Sequence, residues 1–314
     1  MNGTPWPRSP MTSLGGNEYQ VFKVDMLQGR MPQWQNEARM RRASPIAIFM
    51  LEAARQAIDA AGNVDPARLG IVAAYGSGSL TASRRFFEGV LKNGQRFASP
   101  NLFPETVFNS PTSHLATVLG AAGPAYSVVG DNSAWVNAIQ VAACWLANGV
   151  VEHALVIGAE ELDPIILDAY ASARWLSRNN HCGFTAAEGA GAILLRRATP
   201  SDSVRLEKVS EGWTFRNRRQ ARARAEECVA DFGDVRRVCR TAQNTWFETI
   251  ECELAQRHGW ESPPPLPDCG YAFTATAAWQ TVRAVEQVRR DGKRLAVPIW
   301  GLNEQCSALI LAAK

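Results

Sequence analysis

Thiols, imidazoles and clustered arginines are the residues in this chain whose chemistry could matter most, and their spacing limits what that chemistry is. Seven cysteines (Cys144, Cys182, Cys228, Cys239, Cys252, Cys269, Cys306) form no CxxC pair and are odd in number, so they read as reduced, mostly buried thiols. The four histidines (His114, His153, His181, His258) have no metal-ligand spacing, and no metal site is expected. His181 and Cys182 are adjacent in NNHCGF, a thiol beside an imidazole. Side chains of adjacent residues point apart, which works against an activated nucleophile there. The run RNRRQARARA, from Arg216 to Ala225, is dense in positive charge. It reads either as a solvated face or as a dock for an acidic partner, with Arg218, Arg219, Arg222 and Arg224 as the contact residues. The GSGSL turn at Gly76–Leu80 lacks the Lys-Ser/Thr ending of a nucleotide loop and reads as close backbone packing.

Around these groups the chain is 314 residues long, 46% apolar and 20% charged, enough to bury a large core. A net charge of +3 is too small to point to nucleic acid. No apolar run reaches the ~18 residues that would cross a bilayer. The opening MNGTPWPRSPMTSLGG lacks the basic-then-apolar layout of a secretion signal. It is expected to be flexible, and the protein to be cytoplasmic.

Helices alternate with short β-branched runs, as in an α/β architecture with buried strands. Ser44–Gly62 is predicted as a helix, opened by Ser-Pro and stopped by Gly. RLGIVAAY, YSVVG, HALVIGAEE and GAGAILLRR are predicted strands, with AWVNAIQVAACWLANG an apolar helix between the second and third. ATPSDS (198–203) reads as a linker, which divides the chain into an entry segment (1–43), a first half (44–197) and a shorter second half (204–314). In the second half VRLEKVSEGWTF, DVRRVCRTA, CGYAFTA, AVPIWGL and SALILAAK are expected strands. ARARAEECVADFG, TWFETIECELAQRHG and AAWQTVRAVEQVRRDG are expected helices, so the halves look like one layered unit repeated.

Several segments, in order, resemble the β-ketoacyl synthases of fatty acid and polyketide synthesis. They are IVAAYGSGSL, LFPETVFNSPTSHLATVLGAAGPAYSV, GAEELDPIILDAYASARWLS and GFTAAEGAGAILLRR, with GPAYSVVGDNSAWVNAIQ between the second and third. The resemblance implies the thiolase-like fold, α/β with duplicated α-β-α-β-α layers and mixed five-stranded sheets. It also implies a cysteine nucleophile at the head of a buried helix and two histidines that stabilise an enolate. Asn132 stands at the cysteine's position, inside Asp131-Asn132-Ser133-Ala134-Trp135. The first histidine position falls on Thr241 in CRTAQNT, or on Phe232 in a second frame. The second falls on Thr274 or Thr276 in YAFTATAAW. The C-terminal glycine gate reads GLNEQCSA, retaining Gly301 and Asn303. His114 matches a helix position of the family where packing is the role. An amide cannot attack a thioester, so the resemblance implies a chain-length-factor-like subunit. It would pair with an active ketosynthase, or with itself, and meet acyl groups carried on the phosphopantetheine of an acyl carrier protein, with no cofactor of its own. Phe108, Asp131, Asn132, Ser133 and Trp135 are the expected lining of its pocket or tunnel, with Trp145 a weaker candidate. The alternatives are an acyl-transfer, hydrolase or dehydratase-like enzyme using Ser133 or Cys182, and a scaffold that binds the carrier protein through the arginine run.

Overall fold

A computed structural model describes residues 7–24, 38–177, 183–200, 202–242, 245–263, 268–303 and 305–313. The chain opens with an antiparallel hairpin, β1 (Ser9–Thr12) and β2 (Glu18–Val21), in place of the flexible segment expected there. Tyr19 and Val21 alternate inward along β2 and are buried. The Gly15 amide donates to Asp168, and Phe22 N–H to the Ala186 carbonyl, so the hairpin is tied down at both ends.

Helix α1 (Pro45–Ala61) follows, then the fully buried strand β3 (Leu69–Tyr75) and a helix the sequence reading did not anticipate, α2 (Leu80–Asn93). Next come α3 (Ser110–Leu119), β4 (Ala125–Val129), α4 (Ser133–Ala147) and β5 (His153–Glu160). A second unanticipated helix is α5 (Pro164–Ser172), whose Asp163 cap and Pro at its first position are both legible start signals. β6 (Gly189–Arg196) closes a sheet ordered β4-β3-β5-β6, with β6 antiparallel and the others parallel.

The second half supplies β7 (Val204–Val209), β8 (Trp213–Thr214), α6 (Arg218–Ala230), α7 (Glu248–His258), α8 (Phe273–Asp291), β9 (Leu295–Trp300) and β10 (Gln305–Ala313). β10 runs antiparallel to β7, β8 and β9. Each of the two large sheets has four strands among the described residues, against an expected five. A parallel bridge from Val238 to Ala296 extends the second sheet beyond β9. DVRRVCRTA thus contributes bridges at Arg237 and Val238 where a strand was expected. CGYAFTA likewise makes one bridge, Tyr271 to Ala186, before α8 begins at Phe273. Its small residues Ala275, Ala277 and Ala278 are buried against the first sheet, and this packing overrides the strand pattern.

The layers are those expected. α1 and α3 cover the outer face of the first sheet, α4 and α8 fill the space between the sheets, and α6 and α7 cover the second. Val72 and Val156 from one sheet share a core with Val136, Ile139, Ala284, Val288, Val297 and Leu309, so the two halves meet in a single middle layer. Trp135 sits in that layer with no exposed surface, donating its Nε1–H to Thr281 Oγ1 at 2.9 Å. It is a core residue. Trp145 packs at the edge of the same core.

Candidate functional site

β4 ends at Val129, and the chain turns through Gly130 and Asp131 into α4, which places Asn132 at the cap of a 15-residue helix. Partial positive charge from the unpaired first N–H groups collects at such an end. Asp131 answers it. Its Oδ1 accepts from Ser133 N at 3.1 Å and its Oδ2 from Asn303 N at 2.9 Å. A Cβ on Gly301 would stand 2.6 Å from Asp131 Oδ2, so only glycine allows this approach. The surviving Gly301 and Asn303 of the C-terminal turn therefore dock directly on the head of α4.

Asn132 is buried, and its amide Nδ2 donates to the Tyr271 hydroxyl. Its Oδ1 has no partner among the described residues, an uncommon state for a buried acceptor. Burial pushes the Tyr271 phenol well above its ordinary range, so the hydroxyl stays neutral. Ser133 is fully buried and spends its hydroxyl on the Gln305 carbonyl at 2.8 Å. Among the described residues no base accepts that hydroxyl's proton.

The structure brings Asp131, Asn132 and Ser133 together with Tyr271, Gly301, Asn303 and Gln305. The other predicted positions lie in separate settings. Thr241 donates its backbone N–H to Glu251 Oε1 at 2.8 Å and its hydroxyl to the Pro298 carbonyl at 2.7 Å. Burial raises the Glu251 carboxyl, which also accepts from Trp300 Nε1 at 2.7 Å. Thr274 donates to the Ala74 and Ala159 carbonyls and to Glu160, a buried clamp between α8 and the first sheet. Glu160 is pushed up to about 7, chiefly by burial. It accepts from the Gly76 and Ser77 amides, so the glycine turn has its amides engaged by a carboxylate of the chain itself. Thr276 accepts from Ala272 N and caps α8. Phe232, the second frame, is buried beside Trp260.

Phe108 is half exposed, its ring stacked on Tyr75 at 6.4 Å. Along α6, Arg222 pairs with Glu253, Arg224 with Glu227, and Arg218 stacks over Trp246 at 4.9 Å. His114 Nε2 meets Glu105 Oε2 at 2.8 Å while its Nδ1 accepts from Arg39 Nε at 3.2 Å, a structural linkage away from Asn132. His153 opens β5 and His258 closes α7. His181 and Cys182 lie outside the described residues. Burial raises the Cys239 thiol to about 12 and the Cys269 thiol to about 11, the wrong direction for a nucleophile.

Tyr271 and Phe273 were missed at the sequence level. The two rings sit 5.3 Å apart, in a cluster with Tyr170, Trp175 and Phe184.

Residues 19–201 match the family model described as β-ketoacyl synthase, N-terminal domain. The chloroplastic 3-oxoacyl-[acyl-carrier-protein] synthase I of Arabidopsis thaliana is 26% identical over 159 residues, a match covering 46% of this chain and 34% of that protein. The chain thus spans about a third of the length of the curated relative it matches. Among solved structures, the ketosynthase ApeO in complex with its chain length factor ApeC from Xenorhabdus doucetiae is similar with a TM-score of 0.77 and 15% identity, over 99% of this chain and 90% of that one. The ishigamide ketosynthase/chain length factor gives 0.75 and 19%, over 94% and 87%. The type II AntDE:AntF ketosynthase structure with its acyl-carrier protein gives 0.74 and 15%, over 94% and 89%.

Proposed function

The chain belongs to the β-ketoacyl synthase family, and on that premise we propose that it is a ketosynthase-like subunit without condensing activity of its own. It pairs with an active ketosynthase and shapes the tunnel that holds the growing acyl chain, in a type II polyketide, aryl-polyene or fatty acid pathway of the cytoplasm. The acyl groups arrive on the phosphopantetheine of a carrier protein.

The observation that carries this reading is Asn132 at the head of α4. A thiolate there would gain from the helix end, whereas an amide nitrogen has its lone pair delocalised and offers nothing to a thioester carbon. No imidazole among the described residues borders Asn132 in a hydrogen bond. Its polar neighbour is Tyr271, held neutral. The fold around that position is kept intact, down to the docking of Gly301 and Asn303 on Asp131. Strand β4 supports pairing. It is an edge of its sheet, and Tyr126 and Val129 on it are about half exposed. Unpaired apolar edges of this kind are where a partner is added. The likeness to ketosynthase/chain length factor assemblies supports the same arrangement. A hydrolase or transferase built on Ser133 is disfavoured by that hydroxyl's bond to the Gln305 carbonyl.

The test is co-expression with a ketosynthase that has the Cys-His-His set. A stable heterodimer, active in condensation only when both chains are present, is the expected result. A homodimer of this chain that condenses malonyl and acyl carrier protein by itself would overturn the reading.

A further inference from the structure

Two residues other than glycine lie at positive φ among the described residues, Arg174 at 57° and Phe273 at 39°. Glycine ordinarily takes such positions, and a larger residue persists there only where the surrounding packing fixes it. Both residues feed one cluster. Arg174 follows α5 and turns the chain back, with Trp175 N–H donating to the Tyr170 carbonyl at 3.0 Å. The Trp175 ring thereby comes to lie 5.9 Å from the Tyr170 ring. Phe273 opens α8 with its ring 5.2 Å from Tyr170, 5.7 Å from Trp175, 5.9 Å from Phe184 and 5.3 Å from Tyr271. The five rings run from Tyr170 and Trp175, which are partly exposed, inward to Tyr271, whose hydroxyl meets buried Asn132. Tyr19 and Val21 of the N-terminal hairpin pack into the same cluster.

We propose that these rings are a fixed plug that seals Asn132 and the head of α4, so that acyl groups are excluded from the interior of this chain and a growing chain is left to the partner's side of the pair. Phe184 sits 4.8 Å from Tyr271 and 5.8 Å from Tyr170, which closes the set from the inner end to the outer one. Aromatic rings at these centroid distances are in van der Waals contact, and no methylene chain passes between them. The strain at Arg174 and Phe273 is held by that contact, because strained residues survive where many neighbours over-determine their position. The outer end is tied as well. The hairpin donates its Gly15 N–H at 2.8 Å to Asp168, two residues before Tyr170 on α5. That acyl groups are what the plug excludes rests on the function proposed above, and the sealing of Asn132 does not.

The test places a thiol behind the plug. Asn132→Cys in the full chain is alkylated with iodoacetamide, and labelling is followed at each cysteine by peptide mass mapping, with the exposed Cys144 as the reference. A sealed thiol reacts only during local opening, so position 132 is expected to label about a hundredfold slower than Cys144. Adding Phe273→Gly, which removes a ring and its strain together, is expected to speed labelling at 132 about tenfold or more. Tyr170→Ala opens the outer end without touching a strained residue and is expected to act in the same direction, which keeps the test intact if Phe273→Gly does not fold. Phe232→Ala removes a buried ring from a separate core and is expected to change labelling at 132 less than about threefold. Labelling of Asn132→Cys at the rate of Cys144, or a slow rate that neither ring removal changes, would overturn the plug. The measurement uses this chain alone, so its outcome is independent of whether the chain pairs with a ketosynthase.

Discussion

At Asn132 two atoms of one side chain have different fates. Nδ2 is bonded to Tyr271 and Oδ1 has no partner among the described residues, while the acid beside it, Asp131, accepts from Ser133 N at the head of α4 and from Asn303 N in the C-terminal turn. The helix end is thereby neutralised by a neighbour, with no demand on the Asn132 side chain. Glu160 gives this scale its prediction. Burial lifts its carboxyl from 4.5 to about 7, so between those values the native state binds more protons than the unfolded chain. Its contribution to stability is complete below 4.5 and is lost as pH rises through 7. Thermal unfolding followed from pH 5 to 8 should show Tm falling, and Glu160→Gln should flatten that slope while lowering Tm throughout, since an amide N–H would face the Gly76 amide. A parallel slope in the variant would refute the assignment.

α8 is held against the first sheet at Gly158 in β5. A Cβ there would stand 2.3 Å from the Thr274 carbonyl and 3.1 Å from Ala278 Cβ. Gly158→Ala must lift the start of α8, and with it Tyr271 and Phe273, at a cost of about 3 kcal/mol. Urea unfolding should register this loss. An unchanged midpoint would mean that α8 packs elsewhere. The sequence carried the elements of the first half well, because buried parallel strands are continuous apolar runs and the helices between them have Ser-Pro, Asn-Gly and Gly punctuation. It missed the start of α8. The apolar start of CGYAFTA reads as a strand, whereas the helix already begins at Phe273 and lays Thr274 against Gly158, a residue more than a hundred positions distant in the chain.

Over the whole molecule, α4 and α8 form one middle layer between two sheets, and β4 is an edge strand of the first. Val129→Asp places a charge on that edge, where Val129 is 47% exposed. It should leave the isolated chain's circular dichroism unchanged and abolish co-purification with the ketosynthase. Retained pairing would move the interface away from β4. Sequence by itself determined the layered α/β architecture and the family, because each is written in local order: apolar period, turn residues and the spacing of short motifs. The tertiary structure alone decided that Ser133 is spent on Gln305, that Trp135 is core, that Tyr271 faces Asn132, and which arginines of one run are already neutralised. Those outcomes depend on hydrogen bonds and ion pairs between segments far apart in the chain, and composition and periodicity carry no record of which distant group a side chain will meet.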